Sequence, residues 1–382
     1  MLPVCCLALC CAAGCQKKTD EYFAYTNIPS EKYTVKDDSL QFVAIDGFSG
    51  EEEQFESEDL SAYTSKGWTR YGIVDAQLIV SDDFTKEGAE TKFSSLIVDI
   101  NGLLDSIDKA VSTTVVNSDI SKFNSAEGGA TIEISRIGYD ILSQVMEAYT
   151  FTEGYYNPAL YYNVLEYGFG TSHVYPKDAA ALPKDELIAK YTDLASHFGD
   201  IRLSVEEDKY FVTKPVYTVE VEGETISMKL DLGGISKGYA VDRIEELFES
   251  YGYNYGMFNY GSSSMLLRGN IREGNYSLGL VNPRSYKRDS YIEIPARNKK
   301  LSTSGDNEQF YIIDGVRYCH IIDPTTGKPV QSGIMSVTVI GGGAAEDDAL
   351  TTAIMCMGKD KAIRFIEEKL TDRMVVFTSN VA

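Results

Sequence analysis

Three short segments of the chain carry residues whose types and spacing could support chemistry on a bound anion. The first, LDLGGISKGYAVD, contains Asp231, three glycines that let a backbone approach a ligand closely, and Lys237 just before a predicted helix. Backbone N–H groups and the helix dipole favour negative charge at such a helix N-terminus. The segment matches neither the Walker A loop nor the GxGxxG fingerprint. It therefore predicts either an anion cradle or an ordinary glycine-rich connection.

The second segment, EDDALTTA, places three acids at the start of a predicted helix. Acids at this position can cap a helix, because they interact favourably with the positive end of its dipole. Asp348 and Thr352 are four residues apart and therefore share one helix face. A carboxylate and a hydroxyl are hard oxygen ligands suited to magnesium or calcium. The segment predicts either helix caps or part of a metal site.

The third segment surrounds one of the three histidines. His173 and His197 lie in polar, loop-like stretches and are expected to be structural or exposed. His320 is expected on the second arm of a β-hairpin, QFYIIDGVRYCHIID, whose Asp314-Gly315 pair supplies the turn. The following IIDPTTGKP stretch could wrap a ligand. His320 is therefore either a satisfied core histidine or a base that faces a ligand.

The elements that must position these segments mix helices and strands without a regular order. Helical spacing of apolar residues predicts helices from about Phe93 and Ser135, and two more in GYAVDRIEELFESYG and AAEDDALTTAIMCM. Strands are predicted in GIVDAQLIVSD, SVTVI, RMVVFTSN and ISMKLDLGG, the last ending at Asp231. Because strict βαβ alternation is absent, an α+β fold with mixed sheets flanked by helices is favoured over a doubly wound sheet.

Charge restricts the partners of the protein. The 382 residues carry a net charge of −22, and a nucleic-acid-binding protein needs a basic surface to neutralise phosphates. Nucleic acid is therefore not an expected partner. An anionic substrate would need local help from a metal, a lysine or a helix N-terminus.

The N-terminal region predicts export. Five of the seven cysteines lie in the first fifteen residues, and the run MLPVCCLALCCAAGC is apolar and ends in small residues before Cys15. Residues 1–15 are typical of a bacterial lipoprotein signal, although a random apolar N-terminus is the alternative. Residues 16–67 include GEEEQFESED and predict an acidic, solvated tether or a surface loop. Residues 68–382 form the expected folded domain.

The three segments, in this order, closely resemble the ApbE family, the FAD:protein FMN transferases. The matching sequences are DLGGISKGYAVD, STSGDNEQFYIIDGVRYCHIIDPTTGKP and DALTTAIMCMG, and the resemblance runs from about Tyr71 to Asn380. STTVVNSDISKFN and TEGYYNPALYYNVLEYGFG agree more weakly. Two positions depart from the family pattern: Ser262 in FNYGSSS replaces a glycine, and Asn157 stands where many relatives have aspartate.

The resemblance implies a two-lobed, T-fold-like α+β domain with FAD in the cleft and Mg²⁺ on its pyrophosphate. It implies that Asp348, Thr352 and the carbonyl of Gly234 hold the metal, that His320 is the general base and that Asp323 orients the loop. Tyr155 and Tyr156 would offer stacking surface. The residues implied to contact FAD are Tyr155, Tyr156, Asn157, Asp231, Lys237, Ser304 and Ile321.

The implied reaction moves FMN from FAD to a Ser/Thr hydroxyl of an extracytoplasmic flavoprotein with an (S/T)GA(S/T) motif and releases AMP. The expected location is a lipid anchor on the outer face of a bacterial cell membrane. Two alternatives stay open: an FAD pyrophosphatase, in which water replaces the hydroxyl, and a non-catalytic flavin-binding lipoprotein. The EGGAT stretch lacks the first hydroxyl residue of the motif, so self-flavinylation is not expected.

Overall fold

The computed structural model describes residues 22–27, 34–36, 41–44, 64–71, 74–269, 276–285 and 289–380. Cys15, the rest of the predicted signal segment and GEEEQFESED lie outside the described residues. The helices are α1 (Ala89–Val111), α2 (Asp119–Ser125), α3 (Arg136–Phe151), α4 (Tyr161–Glu166), α5 (Asp185–Ser196), α6 (Ser236–Ser250), α7 (Ala344–Met357) and α8 (Lys359–Lys369), with short 3-10 turns at Ala179–Ala181 and His197–Asp200.

The strands follow the same chain order. They are β1 (Tyr22–Thr26), β2 (Thr34–Val35), β3 (Gln41–Ala44), β4 (Thr64–Tyr71), β5 (Val74–Asp82), β6 (Thr131–Ile134), β7 (Arg202–Glu206), β8 (Lys209–Thr213), β9 (Thr218–Val221), β10 (Glu224–Ser227), β11 (Gly256–Tyr260), β12 (Ser264–Arg268), β13 (Tyr276–Val281), β14 (Ser290–Ala296), β15 (Lys299–Gly305), β16 (Phe310–Ile313), β17 (Val316–Cys319), β18 (Ile322–Asp323), β19 (Lys328–Pro329), β20 (Ile334–Ile340) and β21 (Met374–Asn380).

One large sheet organises the molecule. Its nine strands run in the order β3-β1-β21-β20-β15-β12-β11-β5-β4, and its pairs are antiparallel except for β1 with β3. Successive strand residues point to opposite faces, so the sheet buries two separate apolar cores. Phe258 and Val339 face the helices, whereas their neighbours Met257 and Ile340 face the opposite side.

The two faces of this sheet are covered differently. Helices α1, α6 and α7 bury their apolar residues in the larger core, and α3 packs beside them. The three-stranded sheet β13-β14-β2 contributes Leu278, Tyr291 and Ile292 to the smaller core on the other face. The helices therefore lie on the face from which the site is built.

Most of the sequence-based elements are confirmed, including the helices α1, α3, α6 and α7 and the α+β class. Two expectations need correction. The tether prediction for residues 16–67 is wrong at residues 22–26, because β1 pairs with β21 and buries Ala24 and Tyr25 completely. The ISMKLDLGG strand is shorter than predicted, since β10 ends at Ser227.

Neither of the two body cysteines, Cys319 and Cys356, forms a disulfide, and both are buried. Among the helices that the structure describes, none combines the length and apolar character needed to cross a bilayer.

Candidate active site

A cleft of about 320 Å³ collects the three segments that the sequence singled out. It opens between the N-terminal part of α6, one face of α7 and the residues that flank the β16–β17 hairpin. Eleven of the twelve predicted site residues line it: Tyr155, Tyr156, Asn157, Asp231, Gly234, Lys237, Ser304, His320, Ile321, Asp348 and Thr352. Residues up to 197 positions apart in the sequence therefore meet in one cavity.

The glycine turn forms one wall of this cleft. The backbone N–H of Asp231 donates to the carbonyl of Pro158 at 2.9 Å, and its carboxylate Oδ1 accepts from the N–H of Gly233 at 2.8 Å. Burial raises the pKa of Asp231, although the Gly233 hydrogen bond and the Lys237 charge oppose this. Lys237 lies in the first turn of α6, so the lysine and the helix N-terminus both face the cleft.

Gly238 joins this wall to α7. A Cβ atom at Gly238 would lie 2.0 Å from the carbonyl oxygen of Ala344, so only glycine permits this close approach of α6 to α7. The two carboxylate oxygens of Asp242, one turn further along α6, accept from the N–H groups of Ala344 and Ala345, both at 2.9 Å. The last acid of the first segment is thus a cap for the helix that carries the second segment.

The donor atoms suited to a metal lie where these two helices meet. Asp348 Oδ2 accepts from the N–H of Gly238 at 3.2 Å, and Asp348 is buried. A Cβ at Gly234 would lie 3.5 Å from Thr352 Oγ1, which brings the glycine turn beside the hydroxyl. The carboxylate and the hydroxyl, with the glycine turn beside them, fit Mg²⁺, which prefers hard oxygen ligands and few protein ligands.

Burial and nearby charge act on the pKa of Asp348 in opposite directions. Burial raises the pKa of Asp348, while the Lys237 charge and the Gly238 N–H act in the opposite direction. Within the described part of the chain, no salt bridge reaches this carboxylate, and no group of three or more His, Cys, Asp or Glu residues could hold a metal. A metal at Asp348 would therefore need ligands from elsewhere, such as phosphate oxygens.

The β16–β17 hairpin presents His320. Its turn residues Asp314 and Gly315 have φ angles of 51° and 81°, as the Asp-Gly signal predicted. His320 follows β17 rather than lying on it, and its N–H donates to the carbonyl of Gln309 at 3.1 Å. The pKa of His320 is lowered to about 4, mainly by burial; the backbone of Gln309 opposes this shift, and the Lys237 charge adds to it. The imidazole is therefore neutral at neutral pH and able to accept a proton.

Asp323 is the predicted site residue that does not line the cleft. Its Oδ1 accepts from the N–H and the hydroxyl of Thr325, at 2.8 and 2.7 Å, and its carbonyl accepts from the N–H of Gly327. Asp323 therefore fixes the turn after His320 and acts on the cleft only through that turn.

The two tyrosines predicted to offer stacking surface differ in exposure. Tyr156 lines the cleft but is only 3% exposed, so little of its ring is accessible. Tyr155 is more exposed and lies under Lys361 Nζ, 4.4 Å from the ring centroid. The Asn157 amide is occupied by local structure, because it donates to Ala195 O and accepts from Ala159 N, both at 3.0 Å.

Sequence reasoning missed several side chains that line the cleft, and Ser263 is one of them. Ser263 lines the cleft, is 3% exposed, and its Oγ has no hydrogen-bond partner. The sequence singled out Ser262 in FNYGSSS, because it replaces a glycine of the family pattern. Ser262 is exposed and has a φ of 58°, a backbone conformation that glycine adopts more readily. The sequence therefore indicated the correct loop, but the side chain that lines the cleft belongs to the next residue, Ser263.

Comparison with known proteins identifies the family that shares these segments. The sequence model of the ApbE family matches residues 79–377. The chain is 26% identical over 279 residues to an FAD:protein FMN transferase of Vibrio cholerae serotype O1, covering 72% of this chain and 76% of that protein. It is 27% identical over 274 residues to an FAD:protein FMN transferase of Treponema pallidum, covering 70% and 72%.

Solved structures show the same fold. The flavin transferase ApbE from Vibrio cholerae aligns with a TM-score of 0.66 at 24% identity, covering 83% of this chain and 97% of that chain. The apo form of the flavinyl transferase ApbE from Pseudomonas stutzeri aligns with a TM-score of 0.67 at 20% identity, covering 84% and 92%.

Proposed function

The chain belongs to the ApbE family, and from this premise we propose that it is an FAD:protein FMN transferase. The observation that carries the proposal is the convergence of Lys237, His320 and Asp348 in one cleft. Such a site is suited to phosphoryl-type transfer, because it combines a cation beside a helix N-terminus, a neutral imidazole and a buried carboxylate.

We propose that the acceptor is a Ser/Thr hydroxyl of another protein. Its oxygen forms a bond to the FMN-side phosphorus, the bond from that phosphorus to the bridging oxygen breaks, and AMP leaves with that oxygen. His320 takes the hydroxyl proton. The pKa of His320, which burial lowers in the folded protein, rises when negative pyrophosphate binds nearby, because adjacent negative charge favours the imidazolium form.

The residues of the glycine turn bind and orient the substrate. Lys237 and the N-terminus of α6 counter the charge of the pyrophosphate, which an acidic protein would otherwise repel. Asp348, Thr352 and the Gly234 carbonyl would hold Mg²⁺ in this proposal. When bound, the metal would neutralise charge on the phosphate oxygens. Asp323 keeps the turn after His320 in place through its bonds to Thr325.

The test is mass spectrometry of the protein mixed with FAD, Mg²⁺ and an acceptor domain that carries the (S/T)GA(S/T) motif. We expect slow AMP release without acceptor, marked acceleration with it, and an FMN mass on the motif's hydroxyl residue. His320→Ala should suppress transfer but leave FAD binding nearly intact. Fast AMP release without acceptor, with no gain of mass, would instead establish a pyrophosphatase. Tight FAD binding without any AMP would leave a flavin carrier.

We also propose that the protein acts outside the cytoplasm, held by a lipid on Cys15, on acceptors in the same compartment. The support is the sequence alone, namely the AAGC run and the concentration of cysteines before residue 16. Fractionation and mass analysis of the N-terminus should find a membrane-bound protein with lipidated Cys15. Recovery from the cytoplasm with Cys15 unmodified would contradict this location.

A further inference from the structure

Two buried hydroxyl groups in the wall of the cleft lack hydrogen-bond partners. They are Tyr156 Oη and Ser263 Oγ, each on a residue only 3% exposed. A buried polar group without a partner has lost its hydration without gaining a hydrogen bond, so such groups are uncommon in folded proteins unless a water or ligand pairs with them. Both residues line the cavity that the proposed substrate would fill.

The surroundings of Tyr156 indicate which part of a substrate it would meet. Its ring edge lies close to Gly234, since a Cβ there would be 3.2 Å from Tyr156 Cε2. The carboxylates of Asp348 and Asp231 are close enough to raise the pKa of Tyr156, although burial is the larger cause. Tyr156 therefore lies at the end of the cleft where Gly234, Asp231 and Asp348 gather.

Neutral donors have a particular value at this place. Asp231 and Asp348 line the same cavity and would repel a phosphate, and Lys237 is the cation among the described residues lining it. A hydroxyl can donate to a phosphate oxygen without adding charge, and a hydrogen bond to a charged acceptor is among the stronger ones.

We propose that Tyr156 and Ser263 are hydrogen-bond donors to bound FAD, with Tyr156 serving the pyrophosphate. This assignment rests on the proposed function, and it replaces the stacking role that the family resemblance implied for Tyr156. The unpaired hydroxyls destabilise the free protein, and hydrogen bonds to the substrate would pair them. FAD binding thus relieves a cost already present in the fold.

The test compares Tyr156→Phe and Ser263→Ala with wild-type protein, free and with FAD and Mg²⁺. Each substitution removes only a hydroxyl, so the melting temperature of the free protein should be unchanged or higher. FAD affinity should fall about tenfold, equivalent to about 1.4 kcal/mol, and the FAD-induced rise in melting temperature should shrink. Fluorescence titration and thermal melts measure both quantities without requiring transfer activity.

Tyr253→Phe is the matched control. Tyr253 is 1% exposed, its hydroxyl also has no partner, and it does not line the cleft. Its substitution should leave FAD affinity and the FAD-induced shift unchanged. Wild-type FAD affinity in both cleft variants would overturn the donor assignment alone. Failure of the wild-type protein to bind FAD would overturn the proposed function with it.

Discussion

Asp347 and Asp348 are consecutive buried carboxylates on α7, and their surroundings differ in one respect. Asp347 Oδ1 lies 3.4 Å from Arg373 Nε, and its Oδ2 accepts from the N–H of Gly342 at 3.1 Å. Asp348 faces the cleft and receives one backbone N–H, from Gly238. The fold thus places an arginine within ion-pair distance of the first carboxylate, whereas the second feels the charge of Lys237 but forms no salt bridge among the described residues.

This difference separates a structural acid from a functional one. Arg373 also pairs with Glu346 at 2.6 Å, and Lys300 pairs at 2.7 Å with Asp242, the α6 residue that caps α7. The acids around the start of α7 therefore have basic partners within the protein. In the cleft, Tyr156 Oη, Ser263 Oγ and His320 Nδ1 lack hydrogen-bond partners. Asp347 Oδ1 and Arg373 Nε also lack a hydrogen bond, but these two atoms face each other as an ion pair at 3.4 Å. Unpaired groups are expected where a substrate completes the arrangement.

The largest expected effect is the loss of transfer rate in Asp348→Asn, compared with the same substitution at Asp347. Asp348→Asn should lower the FMN transfer rate by at least about a hundredfold, since even outer-shell partners of metal sites account for ten- to hundredfold losses. A magnesium titration of the rate should show a raised requirement. Asp347→Asn should retain the wild-type rate within about threefold, because Asp347 does not line the cleft. Normal turnover of Asp348→Asn at low magnesium would show that these acids are only helix caps.

The second prediction tests the internal pairing. Arg373→Met keeps the apolar stem but removes the charge beside a carboxylate that is 0% exposed. Removing one partner of a buried pair costs about 3 kcal/mol, which urea denaturation at pH 8 should detect. The loss should be smaller at pH 5.5, where Asp347 can take up a proton. An equal loss at both pH values would contradict the assignment of the cost to Asp347.

The third prediction concerns pH. Burial raises the pKa of Asp347 to about 7, although Arg373 and Gly342 oppose it. Between pH 3.8, the ordinary pKa of the group, and about pH 7, Asp347 binds a proton more tightly in the folded state than in the unfolded state. The free energy of unfolding therefore falls as pH rises through that range. Asp347→Asn should remove this contribution, changing the slope of unfolding free energy by up to about 1.4 kcal/mol per pH unit. Parallel pH profiles of variant and wild type would disprove the shift.

The sequence predicted the elements that depend on local patterns. The apolar spacing of α1 and the Asp314-Gly315 turn are both realised, because each is determined within its own segment. The ISMKLDLGG segment shows the limit. Met228, Leu230 and Leu232 alternate and are buried as in a strand, yet Leu230 pairs through its N–H and carbonyl with the side-chain amide of Asn124, at 2.8 and 2.9 Å.

The residues of the site were predictable from the sequence, but their packing was not. Family resemblance identified twelve residues in four segments of the chain, and eleven of the twelve line one cleft. Resemblance could not reveal that the Tyr156 ring is buried, that Asp323 faces its own turn, or that Ser263 points inward. Those properties depend on packing between segments far apart in the chain, and no periodicity or motif records them.

The smallest expected effect separates the two hydroxyls that follow Asp348 on α7. Thr351 belongs to the buried side of α7: its Oγ1 donates to Asp348 O at 2.8 Å and lies 2.8 Å from Ser304 Oγ, and the residue is fully buried. Thr352, by contrast, is partly exposed to the cleft beside Gly234. Thr352→Val keeps the shape but removes the hydroxyl, and water can replace a neutral ligand. We therefore expect about a fivefold loss of transfer rate, partly restored by high magnesium, with little change in stability. Thr351→Val should instead lower the melting temperature and leave the magnesium dependence unchanged. If the two variants exchanged these phenotypes, the metal-facing side of α7 would have to be reassigned from Thr352 to Thr351.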